Sequence, residues 1–315
     1  MVLNLEIIRI VAALIGTSIA AYQDSKTSFI DDKVLFSMIG IGAVLTLLSF
    51  NQTFILYTFA VAALIFALGY LLYKSGQLGM GDVLLFAGLQ LLLPLAPSLV
   101  SNFFGIESSS IFSFVNASLA GGDSAFSALG LIQYSFFITT IFLVSSYFAT
   151  VGSSVFYLYG LLHSKKPLKP NFAYLVVSLA LCSVSLYYLF LVFGFSSAFL
   201  LFVPLFLSFV FFLSFKEQIM DDVIIRKIKI SQIEDEDILA VEKMPSSMMK
   251  KYNLQRVLTK KEVEKLKLIE KKEKMHSFPV CKVLPRLAPY ILFGLVVALI
   301  FGDIFSLAAS LFLGL

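Results

Sequence analysis

The sequence predicts an all-α polytopic membrane protein of about eight transmembrane helices, with a small cytosolic domain ahead of the last one; three observations carry that prediction. Hydrophobic residues make up 59% of the 315 positions and charged residues 14%, where a soluble domain carries roughly 25% charged residues. Apolar runs of spanning length recur along the chain. Lys and Arg gather in alternate connections between those runs.

A helix that crosses the hydrocarbon of a bilayer needs about 20 apolar residues. Runs near that length occupy 3–22, 34–50, 53–73, 83–100, 132–162, 172–193, 197–215 and 287–307. The first lacks a basic flank and a small-residue cleavage site, so it is read as a retained helix and not a secretory signal. The fifth is longer than a bilayer requires, which predicts tilt, a bend near Gly152, or extension beyond the lipid. Pro94 and Pro204 are expected to kink their helices.

The positive charges set the topology. Lys26 and Lys33 lie in the first connection, Lys74 in the third, Lys165, Lys166 and Lys169 in the fifth, and the largest cluster between positions 216 and 286. With the N-terminus outside, all of them fall on one side, which the excess of positive charge marks as cytoplasmic. Arg9 alone dissents, and it is expected to snorkel outward or to pair with Glu6 three residues before it. The expected organisation is therefore helices one to four in 1–101, an external loop in 102–131, helices five to seven in 132–215, a cytosolic domain in 216–286 and a last helix in 287–315. The external loop is rich in Ser and Gly, and its 111–119 stretch has the apolar character of a partly re-entrant segment. In the polar domain, Thr259-Lys-Lys-Glu262 reads as a capping box at a helix start.

Carboxylates at a membrane edge are costly, so each is a functional candidate. Asp24 directly follows the first apolar run, and Asp82 opens the fourth in Gly79-Met80-Gly81-Asp82. Gly79 and Gly81 permit backbone angles and close approaches that a side chain blocks, so an extended peptide or a second helix can come near. The bland alternative is a flexible connection with Asp82 as a helix cap. Two carboxylates brought together in a partly dehydrated site share a proton, so one serves as base toward water and the other as acid toward a carbonyl oxygen. That chemistry needs no metal. Two His and two Cys, in no ligand spacing, give no metal site and no cofactor; Cys182 and Cys281 read as packing residues.

The order of a first-loop Asp24, then Ile30-Asp31 six and seven residues later, then Gly79-Met80-Gly81-Asp82, resembles the prepilin peptidase family of G-x-G-D membrane aspartyl proteases. Leu258-Thr-Lys-Lys-Glu262, Pro285-Arg-Leu-Ala-Pro289 and Phe301-Gly-Asp303 are similar to the C-terminal region of archaeal prepilin and preflagellin (pre-archaellin) peptidases. The resemblance implies cleavage of class III signal peptides from pilin or archaellin precursors, with Asp24 and Asp82 as the catalytic pair, at the cytoplasmic face of the cell membrane. It also implies no N-methylation, because the tetracysteine insert of bacterial relatives is missing. The expected partners are the precursor and membrane lipids, with no nucleic acid.

Rivals remain open at this point. Asp31 or Asp32 can replace Asp24 as the first catalytic carboxylate, contact the basic leader of a substrate, or simply cap the second helix. Asp123 and Asp303 are placed outside and read as loop or interfacial residues, and His163 and His276 lack partners at ligand spacing. The acidic stretch 234–237 reads as a solvated face. An ion- or proton-coupled transporter using the same carboxylates is the alternative function, although no internal repeat supports it.

Overall fold

The computed structural model describes residues 2–97, 128–164, 166–194, 197–233, 237–273, 275–282 and 286–302. The 98–127 stretch, which includes most of the expected external loop and Asp123, lies outside the described residues, as do Asp303, Lys165 and positions 234–236.

Each of the eight apolar runs holds a helix. These are α1 (Val2–Thr27), α2 (Asp32–Leu47), α3 (Gln52–Lys74), α4 (Met80–Leu92), α5 (Ala128–His163), α6 (Phe172–Phe193) and α7 (Ser197–Gln218). A polar segment with α8 (Ser246–Tyr252) and α9 (Lys260–Glu273) follows, and then α10 (Ala288–Phe301). Five spans among the described residues are long and apolar enough to cross a membrane: Leu5–Thr27, Gln52–Lys74, Tyr134–His163, Phe172–Leu191 and Phe199–Ile224. The other apolar helices are shorter, with 16 residues in α2, 13 in α4 and 14 in α10.

Pro94 does not kink the fourth helix, as the sequence suggested, because α4 stops two residues before it at Leu92. A proline disfavours helical angles in the residue before it, and Leu93 accordingly adopts φ −129° and ψ 68°. Pro204 does lie within α7. The fifth helix extends over 36 residues, past both ends of the 132–162 run.

The chain forms two compact units, which cut it differently from the five expected segments. One comprises Met1–Phe148 with Arg286–Leu315; the other comprises Ala149–Pro285. In the first unit α4 lies among the other helices. Nine of its residues are buried, with Leu85 to Leu92 inaccessible all round, as expected of a helix without a polar face. Small residues let the neighbours close on it. A Cβ at Gly42 of α2 would stand 2.8 Å from the Leu91 Cβ, and one at Gly69 of α3 only 2.5 Å from Val83. The N-terminal half of α5 is tied to α4 by Gln90, whose side-chain amide donates to the Tyr134 carbonyl at 3.0 Å. The Tyr134 ring stacks on Tyr57.

Of the two outcomes expected for Arg9, snorkelling or a pair with Glu6, the structure corrects the first. Arg9 does not snorkel; it is buried, and its guanidinium donates to the carbonyls of Leu91 and Leu92 at 3.2 and 3.0 Å while lying over the Phe54 ring. Thr46 donates to the Leu91 carbonyl as well, at 3.1 Å. The last carbonyls of a helix have no partner within it, and in an apolar medium they need one from elsewhere. Arg9 and Thr46 supply it.

The second unit departs from the all-α expectation. Its polar segment holds a three-stranded antiparallel sheet, ordered β1 (Ile225–Ile228), β3 (Phe278–Cys281) and β2 (Ile238–Leu239). All four residues of the central strand are buried, so it lacks the alternation that marks a strand in a sequence. Leu239, Leu258, Leu266, Ile269, Phe278 and Val280 form its core. The expected capping box is rearranged. Glu262, 3% exposed, accepts from the Gln255 backbone N–H at 3.1 Å and from Lys265 at 2.6 Å, so it anchors the incoming loop. Asp237 pairs with Lys282 at 2.9 Å.

If Arg9 caps α4, Arg9→Met should lower the stability of the detergent-solubilised protein by about 2 kcal/mol, the usual scale for losing charge-assisted bonds and stranding their acceptors. Thermal unfolding reads this as a lower midpoint; an unchanged midpoint would mean that the carbonyls find other partners.

Candidate active site

Asp24 lies in the last turn of α1. The helix ends three residues later at Thr27, and Ser28 then takes a left-handed φ of 56° while its amide donates to the Asp24 carbonyl at 2.9 Å. The connection to α2 then spans only Ser28 to Asp31. Phe29 faces outward, 58% exposed, while Ile30 is 6% exposed and belongs to the main core of the first unit. Asp31 is the N-cap of α2, its carboxylate accepting from the Lys33 N–H at 3.0 Å. The Gln23 side chain accepts from the Asp31 amide at 3.0 Å, which holds the loop against the end of α1. Asp31 is therefore occupied as a cap, whereas Asp32, in the first turn, is exposed.

Asp82 stands three residues after Gly79, the N-cap of α4. Its carboxylate turns back onto that cap, with the Gly79 backbone N–H as hydrogen-bond partner. This is the reciprocal half of a capping box, supplied by an aspartate. The connections between the first four helices are short, so α1 ends and α4 begins at the same end of the unit. The two carboxylates are close enough for the Asp24 charge to act on Asp82. These are the two carboxylates that the sequence reading pairs, and the structure sets them at the same end of the unit.

The glycines divide into two roles. Gly79 has φ −74° and ψ 147°, angles open to any residue, so its small size and not its freedom is what the site uses. A Cβ there would stand 3.1 Å from Asp82 Oδ2, tighter than normal contact. At Gly81 the nearest atom would be Ile30 Cδ1 at 3.5 Å, an ordinary contact. Ile30 thus packs over the glycine before Asp82 and links the first loop to the start of α4. Met80 is the first residue of α4 between them.

Two groups near Asp24 fall in the Pro285-Arg-Leu-Ala-Pro289 stretch, which the sequence reading quoted without giving either a role at the site. Oδ2 of Asp24 accepts from the backbone N–H of Ala288, the first residue of α10, at 3.1 Å. Arg286 lies within electrostatic reach of Asp24. Its guanidinium donates to the Ser25 carbonyl and, at 3.3 Å, to Ser28 Oγ. Asp24 is 8% exposed, and a carboxylate so enclosed requires hydrogen-bond donors. The chain supplies one from a helix 264 residues away.

Among the described residues, no three His, Cys, Asp or Glu side chains gather as a metal site. Cys182 and Cys281 are both free and buried. His163 packs its ring on Tyr159, and the exposed His276 lies 4.0 Å from Glu270. What the described arrangement offers is a pair of carboxylates at helix ends, within electrostatic reach of each other. Such a pair can divide the roles of base and acid toward a water and a carbonyl.

Residues 11–155, just under half of the chain, match the type IV leader peptidase family. That stretch contains Asp24, Gly79, Gly81 and Asp82. Over 104 residues the chain is 36% identical to the prepilin peptidase EppA of Methanothermobacter thermautotrophicus, a match covering 32% of this chain and 27% of that relative. No solved structure matches the chain.

The unequal glycines yield a prediction. If Asp82 is a reacting group in cleavage of a pilin-type precursor, Gly79→Ala should reduce that cleavage about tenfold or more, because small displacements of a reacting group carry large rate penalties; Gly81→Ala should retain most of it. Initial rates of precursor cleavage compare the two, and equal rates would count against the crowding at Asp82.

Proposed function

We propose that this chain is an aspartic endopeptidase of the membrane edge that removes class III signal peptides from pilin-type precursors, using Asp24 and Asp82 as a dyad. The supporting observation is the convergence of these two carboxylates, within the stretch that matches the type IV leader peptidases. Archaellin precursors fit the same chemistry, since the reading requires only a short basic leader followed by a hydrophobic helix.

In this reading the dyad carries one proton. The ionised carboxylate takes a proton from water as its oxygen bonds to the scissile carbonyl carbon, and the protonated carboxyl gives its proton to the carbonyl oxygen. The resulting diol collapses as the carbon–nitrogen bond breaks and the departing amine is protonated. One water is consumed, and no metal or cofactor takes part. A helical peptide cannot be cut while its carbonyls are hydrogen-bonded, so the precursor must be extended where it meets the dyad, beside Gly79 to Gly81.

The same reading has all eight apolar helices crossing the membrane, with the N-terminus outside and the dyad facing the cytoplasm. Lys26, Lys33 and Lys74 lie at the dyad's end of the first three helices, which supports that orientation. Asp32, exposed beside the capping Asp31, is the carboxylate assigned to attract the basic leader. The new N-terminus is left unmethylated. An ion-coupled transporter is disfavoured, because both carboxylates stand at helix ends and the related sequences are peptidases.

The test is processing of a tagged pilin-type precursor by membranes carrying wild type, Asp24→Asn or Asp82→Asn. Each variant should lose cleavage by at least about a thousandfold, the scale of removing a group essential to the chemical step. If either Asn variant cuts at the wild-type rate, the dyad is wrong.

A further inference from the structure

The N-terminal turn of α10 is attached to the end of α1 at three places. The Ala288 amide donates to Asp24 Oδ2, and the Arg286 guanidinium reaches both the Ser25 carbonyl and Ser28 Oγ. Among the described residues, Ala288 is the one donor to the Asp24 side chain. The orientation of that carboxylate is therefore set by where α10 begins. Ala288 is fully buried and close to rigid helix, but its amide belongs to the first helical residue, where no intrahelical acceptor fixes it. Arg286 supplies the fixing. Its planar fork spans two acceptors on either side of the helix terminus, a geometry that a single ammonium does not reproduce.

We infer that Arg286 is a positioning residue for Asp24, clamping the first turn of α10 onto the end of α1 so that the Ala288 amide presents the carboxylate to Asp82. The inference rests on the reading of Asp24 as catalytic. It also predicts that the fold outlasts the clamp. Ala13, Ala20 and Ala21 of α1 share one apolar core with Ile291, Leu295 and Ala298 of α10, so these helices stay packed when Arg286 is replaced. What is lost is the placement of one carboxylate, and this lowers the chemical step while leaving substrate binding intact.

The full chain in detergent, with a pilin-type precursor as substrate, provides the test. Arg286→Met should reduce kcat by roughly tenfold to a hundredfold with KM within about twofold of wild type. Arg286→Lys, which keeps the charge and loses the fork, should fall between Met and wild type. Thermal unfolding of the same preparations should give midpoints close to wild type. Wild-type kcat in Arg286→Met, alongside an inactive Asp24→Asn, would overturn the inference and leave the dyad standing. An effect confined to KM would overturn it too, by making Arg286 a substrate contact. If Asp24→Asn stays active, the dyad itself falls, and Arg286 cannot act through it. Should the Met variant not fold, the Lys variant decides alone: full kcat refutes the two-point clamp, and a reduced kcat at unchanged KM and unfolding midpoint sustains it.

Discussion

A helix that ends in an apolar medium must find partners for the polar groups its last turns leave open, and the first unit is arranged around that constraint at α4. Thirteen residues of helix rise about 20 Å, less than the roughly 30 Å of a bilayer's hydrocarbon. Apolar packing surrounds α4 from Leu85 to Leu92, so water is kept from its C-terminal end, while its first turn stays partly exposed. At one end Arg9 and Thr46 take the carbonyls of Leu91 and Leu92. At the other, Asp82 folds back on Gly79. Arg9, Thr46 and Asp82 thus gather where α4 begins and stops, and the candidate dyad is one consequence of the shortness of that helix.

The same reasoning explains why Asp24 needs a helix from much later in the chain. A carboxylate at 8% exposure requires donors, and its own helix offers none, because the amides near the end of α1 point back toward earlier carbonyls. A helix N-terminus is where unused amides are found. The amide of Ala288 is one, and α10 brings it to Asp24 against a shared core. Asp82 solves the same problem with the amide of its own cap. Each carboxylate therefore meets the amino end of a helix, α10 for Asp24 and α4 for Asp82, where the dipole favours negative charge, yet of the two Asp24 alone has a cation, Arg286, beside it. That asymmetry distinguishes two residues of the same type.

Much of this was legible in the sequence. The apolar runs placed the helices, since a run of about 20 residues has few alternatives in lipid, and the positions of Asp24 and Asp82 at helix boundaries put them at one end of the unit. The partners of Asp24 were not legible, for a physical reason. A main-chain amide has no side chain to mark it, and a separation of 264 residues leaves no local pattern. Arg286 did leave a trace, as a cation just before an apolar run on the same side as Asp24. Arg9 was misplaced because sequence shows a charge in an apolar run without showing that an interrupted helix, at Pro94, waits for it. The sheet was missed because β2 has two residues and β3 is buried throughout, so neither shows alternation.

The order of the chain adds a last constraint. The first unit is left at Phe148 and resumed at Arg286, with the whole second unit lying between in sequence. Contacts across such a separation carry a loop-closure cost that contacts along α1 to α4 do not. The interface of α4 with α2 and α3 is local in sequence and can form early. The seat of Asp24 waits for α10, since its donor and its neighbouring cation both come with that helix. Until then Asp24 lacks the partners that orient it, so on the proposed reading the dyad becomes competent only after the second unit has been traversed and α10 has docked. An apolar interface built on Ala13, Ala20 and Ala21 suits that late step. Small side chains let two helices approach closely with little rotamer freedom to lose, and that close approach brings a backbone amide within reach of a carboxylate.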